Sequence, residues 1–235
     1  MTTAVWPAIE RESRVRRGIA VDGSAKSIRC TAVKRPTVEE RRTEILEATA
    51  EVVIERGFAA TRVADVARRL GVSTGLIHYH FESKDQLFAE TFGHAARADL
   101  ARLAGEVALE HRAVAKLDKI FRLYSPDSAE PGWMLWIDGW GEALRTPALK
   151  KLSQDLDLKW KDLLEDVIEL GIEQGEFECA DIHGTAWRLA SLLDGLAVQV
   201  TVHEGVISND DLLLWVRTAA SAELGLPISA FINAL

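Results

Sequence analysis

Long apolar segments and cysteines are both scarce in this 235-residue sequence. No apolar run approaches the roughly 20 residues that a helix needs to span a bilayer. The two cysteines, Cys30 and Cys179, are far apart and cannot form a disulfide framework. These absences argue against a membrane-spanning protein and against a small disulfide-stapled secreted domain. We therefore expect a cytoplasmic protein without membrane partners.

The sequence also lacks several motifs that mark catalytic and cofactor sites. Its six histidines form no His-Glu-x-x-His pattern, and neither cysteine has a nearby metal-ligating partner in the sequence. There is no phosphate-binding P-loop and no Gly-x-Gly-x-x-Gly dinucleotide motif. We therefore expect that the protein is not an enzyme and that it needs no cofactor or metal.

Charge is distributed unevenly along the chain. The composition, with 48% hydrophobic and 27% charged residues, is that of a globular protein. The net charge is −8, but the first 97 residues carry +3 and the remainder carries −11. An acidic protein can still bind DNA when its positive charge is concentrated on one face, because phosphate contacts are local. The asymmetry favours two functional parts.

Helix start and stop signals are dense after residue 36. Capping residues precede apolar positions at helical spacing, and glycines stand where helices end. Helix starts are predicted at Thr37 with Glu40, at Thr61, at Ser73 (helix Thr74 to His80), and at Ser83 with Gln86; stops are predicted at Gly57 and Gly71.

The rest of the chain has helical periodicity and no strand signal, so the predicted fold class is all-α. Further helices are predicted near 110–124, 131–145, 147–174, 181–203 and 208–224. The predicted organisation has four parts: a disordered basic extension (1–36), a three-helix helix-turn-helix DNA-binding domain (37–83), a larger helical ligand-binding and dimerisation domain (84–227) and a tail (228–235).

The segment Thr61–His80 is typical of a helix-turn-helix. Gly71 permits the tight turn with positive φ, Val72 fills the angle between the two short helices, and Ser73 restarts the chain. This arrangement lets the second helix project into the major groove of DNA, which is wide enough for one α-helix. Its first residues are small, so its backbone can approach bases and phosphates closely.

A stretch of about fifty residues resembles the DNA-binding signature of the TetR family. The resemblance includes the turn Leu70-Gly71-Val72-Ser73 and the junction His80-Phe81-Glu82-Ser83-Lys84. The resemblance implies an all-α homodimeric regulator with a ligand-receiving C-terminal domain. It also implies two sets of DNA-binding residues. Those in or next to the surface that contacts the bases are Arg62, Ser73, Thr74, Gly75 and His78. Those that contact phosphates are Tyr79, His80 and Lys84. Many relatives have tyrosine in place of His78. Alternatively, Tyr79 and His80 pack in the core.

Six of the seven tryptophans lie after residue 130, and three share one helical stripe. They are interpreted either as core packing or as the lining of an apolar ligand pocket. The predicted ligand-binding residues are Phe121, Tyr124, Trp133, Met134, Trp136, Trp140 and Trp187.

The pattern Trp133…Trp140-Gly141-Glu142, followed by Pro147, Trp160 and Gly175-Glu176-Phe177, is similar to the C-terminal domains of betaine-synthesis repressors within the same family. That resemblance implies a cationic amine, held by aromatic faces and a nearby acid. Asp138 and Glu142 are the obvious acids. At about 100° per residue, however, they lie opposite the tryptophan stripe, so a cation cage needs groups from another helix.

The last two long helices are rich in apolar residues. In relatives, the corresponding helices form a four-helix interface between subunits, although burial within one subunit is the alternative. The predicted dimerisation residues are Leu189, Leu192, Leu193, Leu196, Val200, Leu213, Val216 and Ala220.

The sequence thus predicts a nucleoid-associated, ligand-responsive repressor that binds a palindromic operator as a homodimer and is released by a small-molecule effector. Three alternatives remain open: an activator of the same fold, a DNA-architecture protein without sequence preference, and a small-molecule enzyme.

Overall fold

The computed structural model describes residues 36–126 and 132–232, and within these ranges the chain is helical without strands. The predicted all-α class is confirmed. The predicted basic extension lies outside the described residues, apart from Pro36. The helices are α1 Val38–Arg56, α2 Val63–Leu70, α3 Thr74–His80, α4 Lys84–Ala108, α5 Ala113–Tyr124, α6 Gly132–Ala143, α7 Pro147–Glu173, α8 Ile182–Val202, α9 Asn209–Glu223 and α10 Ser229–Ile232.

Most predicted helix starts are observed. The Thr37 hydroxyl accepts the Glu40 amide at 3.1 Å, and the Glu40 carboxylate accepts the Thr37 amide at 2.6 Å, which completes a capping box. The prediction for Thr61 is wrong by one residue. Its hydroxyl donates to the Gly57 carbonyl at 2.8 Å, and Arg62 takes the N-cap position of α2. Because the Thr61 hydroxyl is bonded to the backbone of the buried turn after α1, the next residue occupies the cap position of α2.

Ser83 caps α4, since its hydroxyl accepts the Gln86 amide at 3.1 Å. The reciprocal half of the predicted box is displaced by one residue, because the Gln86 side chain accepts the Glu82 amide instead of the Ser83 amide. Gln86 also donates to Glu90, which holds its side chain along α4.

Two apolar cores organise the described residues. The first, called the proximal core, joins α1–α4 to α6 and to the first turns of α7, and it includes Phe58, Phe92 and Leu149. The second, the distal core, joins the end of α4 to α5, α7, α8 and α9. The predicted boundary at residue 84 therefore does not separate the two cores. α4 belongs to both, and α6 shares the proximal core with α1–α3, the predicted DNA-binding helices.

Close contact between α4 and α6 is made at Gly139. The Phe92 ring is fully buried, and a Cβ atom added to Gly139 would lie 2.6 Å from it. On the same side, the Trp136 ring meets Phe92 edge to face, with centroids 4.9 Å apart. The lack of a side chain at Gly139 lets the two helices approach this closely.

The C-terminal end differs from the predicted tail. Within residues 228–232 the chain forms α10, and Phe231 is buried against Phe121 with ring centroids 6.1 Å apart. Phe231 thus packs in the distal core, and a segment of so few residues has too little periodicity to predict this burial. Over the described ranges, no helix combines the length and apolarity needed to cross a membrane.

We predict that Gly139→Ala destabilises the protein, because the new methyl group collides with the buried Phe92 ring. The expected loss is about 1–3 kcal/mol in the free energy of unfolding, measured by urea titration. Gly141→Ala on the same helix is the matched control, since a Cβ there meets nothing within 4 Å. The control should be neutral or more stable by about 0.5–1 kcal/mol. Equal effects at the two positions would contradict the close helix contact.

Candidate DNA-binding and ligand-binding sites

Helix α3 is held by one face and presents the other to solvent. Gly71 ends α2 in the left-handed conformation (φ +68°), and the Ser73 hydroxyl caps α3 by accepting the Leu76 amide. Ile77 anchors the helix with 1% of its surface exposed. The opposite face carries predicted DNA-binding residues, all exposed: Thr74, Gly75, His78 and Tyr79. With 75% of its surface exposed, Tyr79 does not pack in the core.

Arg62 differs from the other arginines of α2. Arg68 pairs with Asp65, and Arg69 pairs with both Glu51 and Glu55 of α1. Arg62 is exposed, and in the described part of the chain its guanidinium forms no ion pair, since Asp65 one turn ahead pairs with Arg56 and Arg68. Its cation is therefore available to an external anion or base edge, whereas those of Arg68 and Arg69 are engaged.

Lys84 and His80 lie at the junction between α3 and α4. Lys84 is the first residue of α4, and its ammonium lies 4.8 Å from the centroid of the Phe88 ring. The His80 ring meets Tyr79 edge to face at 5.1 Å. A phosphate at this helix N-terminus would meet free backbone amides as well as the lysine.

Sequence reasoning missed Arg42 on α1. Its guanidinium donates to the backbone carbonyl of His80, pairs with Glu90 on α4, and stacks over the Phe81 ring at 4.3 Å. It thereby ties the end of α3 to α1 and α4. Nothing in the local pattern of α1 marks this residue, because all its partners come from other helices.

Gly71-Val72-Ser73-Thr74-Gly75 has the letter pattern of a hydrolase nucleophile elbow, but its context is different. In hydrolases that serine follows a strand, whereas Ser73 follows helix α2 and its hydroxyl accepts the Leu76 amide. This geometry is that of a helix cap.

Five aromatic side chains from three helices form a connected group, here called the aromatic cluster. Tyr124 of α5 meets Trp133 of α6 at 5.1 Å and Trp160 of α7 at 4.6 Å. The ring centroid of Trp140 lies 6.0 Å from those of both Trp133 and Trp136. The Trp133 indole donates to the Tyr124 carbonyl at 2.8 Å, which fixes the junction of α5 and α6. Of these residues, Trp160 was not among the predicted ligand-binding residues.

Three carboxylates surround Tyr124, and none was predicted: Asp99 of α4, Asp157 of α7 and Asp194 of α8. The Tyr124 hydroxyl donates to Asp194 at 2.6 Å. Burial, followed by the nearness of Asp194, Asp157 and Asp99, raises the pKa of Tyr124 well above its usual value. Burial raises the pKa of Asp194, against the opposing effects of Tyr124 and of the Lys161 cation.

Asp99 is the most strongly perturbed of the three acids. It is 8% exposed, and burial raises its pKa to about 6, although Arg102 and a hydrogen bond from Trp136 oppose the shift. Asp157 accepts the buried Lys161 ammonium at 2.5 Å. The three acids thus face two cationic side chains, Arg102 and Lys161, which leaves one excess negative charge when all are ionised.

The space beside Tyr124 and Trp160, between α5, α7 and α8, is small. A cavity of about 20 Å³ is lined by Tyr124, Trp160 and Lys161 together with Asp157 and Asp194. That volume is enough for about one water molecule. The indole N–H of Trp160 is buried and has no hydrogen-bond partner among the described residues. The site is therefore closed but retains an unused donor.

Three predicted ligand-binding residues lie outside the aromatic cluster. Phe121 is fully buried in the distal core. Met134 lines a separate open groove of about 740 Å³, between α6 and the connection from α8 to α9. Trp187 is 38% exposed, and its ring covers the Lys161 ammonium at 4.4 Å.

The two acids of α6 lie away from the cluster, as the helical angle predicted. Asp138 accepts the backbone amide of Phe58 at 2.5 Å, and Glu142 accepts the Thr146 hydroxyl at 2.9 Å. The acids beside the cluster come from other helices instead.

Half of the predicted dimerisation residues are buried within the subunit: Leu189, Leu193, Val216 and Ala220 are at most 2% exposed. α8 and α9 use these faces to pack on the distal core, which matches the alternative of burial within one subunit for these four residues. Leu192, Leu196, Val200 and Leu213 are half-buried. The outer faces expose other residues: Ser191, Gly195, Val202, Leu214, Trp215, Thr218 and Ala222.

Comparison with known proteins gives matches over most of the described chain. The family model for bacterial regulatory proteins of the tetR family matches residues 45–91, and that for the BetI-type transcriptional repressor C-terminal domain matches residues 112–225. The HTH-type transcriptional regulator BetI of Ectopseudomonas mendocina is 30% identical over 66% of this chain and 79% of its own length. BetI of Paraburkholderia phymatum is 28% identical over 73% and 84%.

Among solved structures, a transcriptional regulator from Saccharomonospora viridis in complex with choline is similar to this chain. It is 28% identical with a TM-score of 0.72, over 79% of this chain and 98% of its own.

Proposed function

The chain belongs to the TetR family of bacterial transcriptional regulators, with a C-terminal domain of the BetI repressor type, and we propose that it is a ligand-responsive repressor. In this proposal a homodimer binds a palindromic operator, and a cationic amine releases it. The observation that carries the DNA-binding part is the outward face of α3, where exposed small and polar residues follow a glycine turn.

The DNA-binding roles divide by chemistry. Arg62 has a guanidinium open to solvent, which suits bidentate recognition of a guanine edge. Thr74, Gly75 and His78 face the groove, whereas Tyr79, His80 and Lys84 flank it at phosphate positions. Ser73 holds the start of α3 through its cap. Phosphate contacts fix the orientation of the protein, and base contacts supply the sequence preference.

We predict different losses for Arg62→Ala and Lys84→Ala. Arg62→Ala should weaken binding to the specific site by about 1–3 kcal/mol and relax its base preference. Lys84→Ala should weaken binding to every duplex and lower the salt slope by about one. The measurement is fluorescence anisotropy with a palindrome selected by the wild-type protein from a random pool, and with its scrambled version. Equal losses on both duplexes in Arg62→Ala would refute its base-reading role, and equal wild-type affinities would favour a DNA-architecture protein.

The aromatic cluster and its acids support a cationic effector. Aromatic faces attract organic cations, and the three carboxylates near Tyr124 share two cationic side chains, Arg102 and Lys161. The unpaired Trp160 indole offers a donor for a hydroxyl or carboxylate on the ligand. The similar regulator from Saccharomonospora viridis was solved with choline, a compound of this class. Together these features favour a small quaternary amine.

The closed cavity supplies a mechanism for release. A choline-sized molecule does not fit in about 20 Å³, so in this proposal its binding moves apart the side chains and helices that line the cavity. A ligand that binds only the opened conformation shifts the population towards it. If operator DNA favours the closed arrangement, ligand and DNA oppose each other. A coupling of about 1–3 kcal/mol corresponds to a 5–150-fold change in affinity.

We predict that choline binds more tightly than its neutral carbon isostere, in which a tert-butyl group replaces the trimethylammonium group. Asp194→Asn should weaken choline binding, whereas Asp155→Asn, at an exposed position on α7, should not. Because a cation favours ionised acids, its affinity should fall as the pH is lowered through about 6, where Asp99 becomes protonated. Isothermal titration calorimetry measures all three effects. Equal affinity for choline and its isostere would contradict a charge-based site.

The exposed faces of α8 and α9 support the dimer. A Cβ atom added to Gly195 would meet nothing within 4 Å, so another helix can approach α8 there. Leu214 and Trp215 are 53% and 44% exposed on the neighbouring helix. In a two-fold dimer formed through this face, binding to a palindrome requires the two α3 helices to lie about 34–36 Å apart, one turn of DNA.

We predict that Gly195→Arg disrupts the dimer because the new side chain occupies the helix contact. Gly105→Arg is the matched control, since Gly105 is also an exposed helical glycine with open space around it, but on α4. Sedimentation velocity should show monomers for the first variant and dimers for the second. A dimeric Gly195→Arg protein would exclude this face as the interface.

A further inference from the structure

Helix α6 carries two functional features on different faces. One face supplies Trp133, Trp136 and Trp140 to the aromatic cluster. The other carries Asp138, which accepts the Phe58 amide at the turn between α1 and α2. Because Asp138 lies within one helical turn of Trp136 and Trp140, a displacement of α6 that moves the rings also moves the carboxylate.

The contact between Asp138 and the DNA-binding helices is close and specific. The Phe58 amide donates at 2.5 Å to Asp138 Oδ2, across eighty residues of sequence. Gly57, next to it, has a positive φ of +79°, and a Cβ there would lie 3.3 Å from the carboxylate. A hydrogen bond to an ionised acceptor is about twice as strong as a neutral one. The turn is thus shaped to receive the acid.

Phe58 is well placed to transmit a displacement. Its ring is fully buried and meets the Phe88 ring of α4 edge to face at 5.3 Å. The turn that it belongs to leads directly into α2, the first helix of the helix-turn-helix. A shift of Asp138 therefore acts on the DNA-binding helices without needing to pass along the length of α4.

We propose that Asp138 is a positioning residue that couples the aromatic cluster to the DNA-binding helices through the Phe58 amide. The proposal rests on the proposed function, in which a ligand opens the cluster. Opening moves Tyr124, whose ring and backbone carbonyl contact Trp133 of α6, and α6 is displaced with it. The hydrogen bond between Asp138 and Phe58 then changes, so α1–α3 shift relative to the rest of the subunit. The bond thereby links ligand occupancy to DNA affinity.

The test compares wild type, Asp138→Ala, Asp138→Asn and the control Glu142→Ala. Glu142 is a carboxylate on the same helix whose partner, Thr146, lies at the corner between α6 and α7. The first readout is hydrogen–deuterium exchange of the peptide that contains Phe58. The second is the ratio of operator affinities without and with choline, using the palindrome selected by the wild-type protein.

In Asp138→Ala, exchange at Phe58 should accelerate by about 10-fold or more, because a charge-assisted hydrogen bond is lost. The affinity ratio should fall about 2- to 30-fold towards unity. Asp138→Asn, which retains an acceptor oxygen, should keep part of the ratio, and Glu142→Ala should keep all of it. Unchanged exchange, or an unchanged ratio in Asp138→Ala, overturns the proposal.

A wild-type ratio of one refutes choline-driven release and thus separates the failure of the proposed function from that of the coupling. In that case a double-mutant cycle of Trp140→Leu and Asp138→Ala, read as DNA affinity, decides the coupling. Non-additive losses support it, and additive losses overturn it.

Discussion

The contact of the Phe92 ring with the bare backbone of Gly139 is the constraint on which the arrangement of the subunit depends. It brings α6 against α4 closely enough for Trp136 to reach Asp99, and for Asp138 on another face to reach the Phe58 amide. Protein interiors are packed as densely as organic crystals, so a displacement of α6 at this contact must also move the Phe92 ring and α4. The DNA-binding helices and α6 consequently form one proximal core.

Buried carboxylates distinguish the surroundings of the aromatic cluster from the proximal core. Removing carboxylates from water is costly unless they are paired, and the acids around Tyr124 are only partly neutralised by Arg102 and Lys161. The raised pKa values of Asp99 and Asp194 express that cost. A site of this kind favours an added cation, since the cation supplies the missing charge in a place from which water is nearly excluded. The cost of burying these acids and the proposed preference for a cationic ligand thus have the same electrostatic cause.

Deviations from the sequence predictions occur where tertiary partners intervene. Thr61 was expected to cap α2, but its hydroxyl serves the buried turn, so Arg62 begins the helix. Phe121 was expected in the pocket, but it packs on Phe231 of a segment predicted as a tail. Leu189 and Val216 were expected at a subunit surface, but they fill the distal core. In each case the sequence correctly indicated whether the residue makes polar or apolar contacts, but it did not predict which residues it contacts.

Local interactions alone determined the helical class, most caps, the glycine turn at Gly71 and the exposed face of α3, because each depends on residues within a few positions of one another. The angular separation of Asp138 from the tryptophans of α6 also followed from one helix. Only the tertiary structure decided which acids accompany those rings, where Arg42 bonds, and that Asp138 meets Phe58. Helical periodicity shows which residues share a face, but the side chains opposite that face come from distant sequence, brought together by packing.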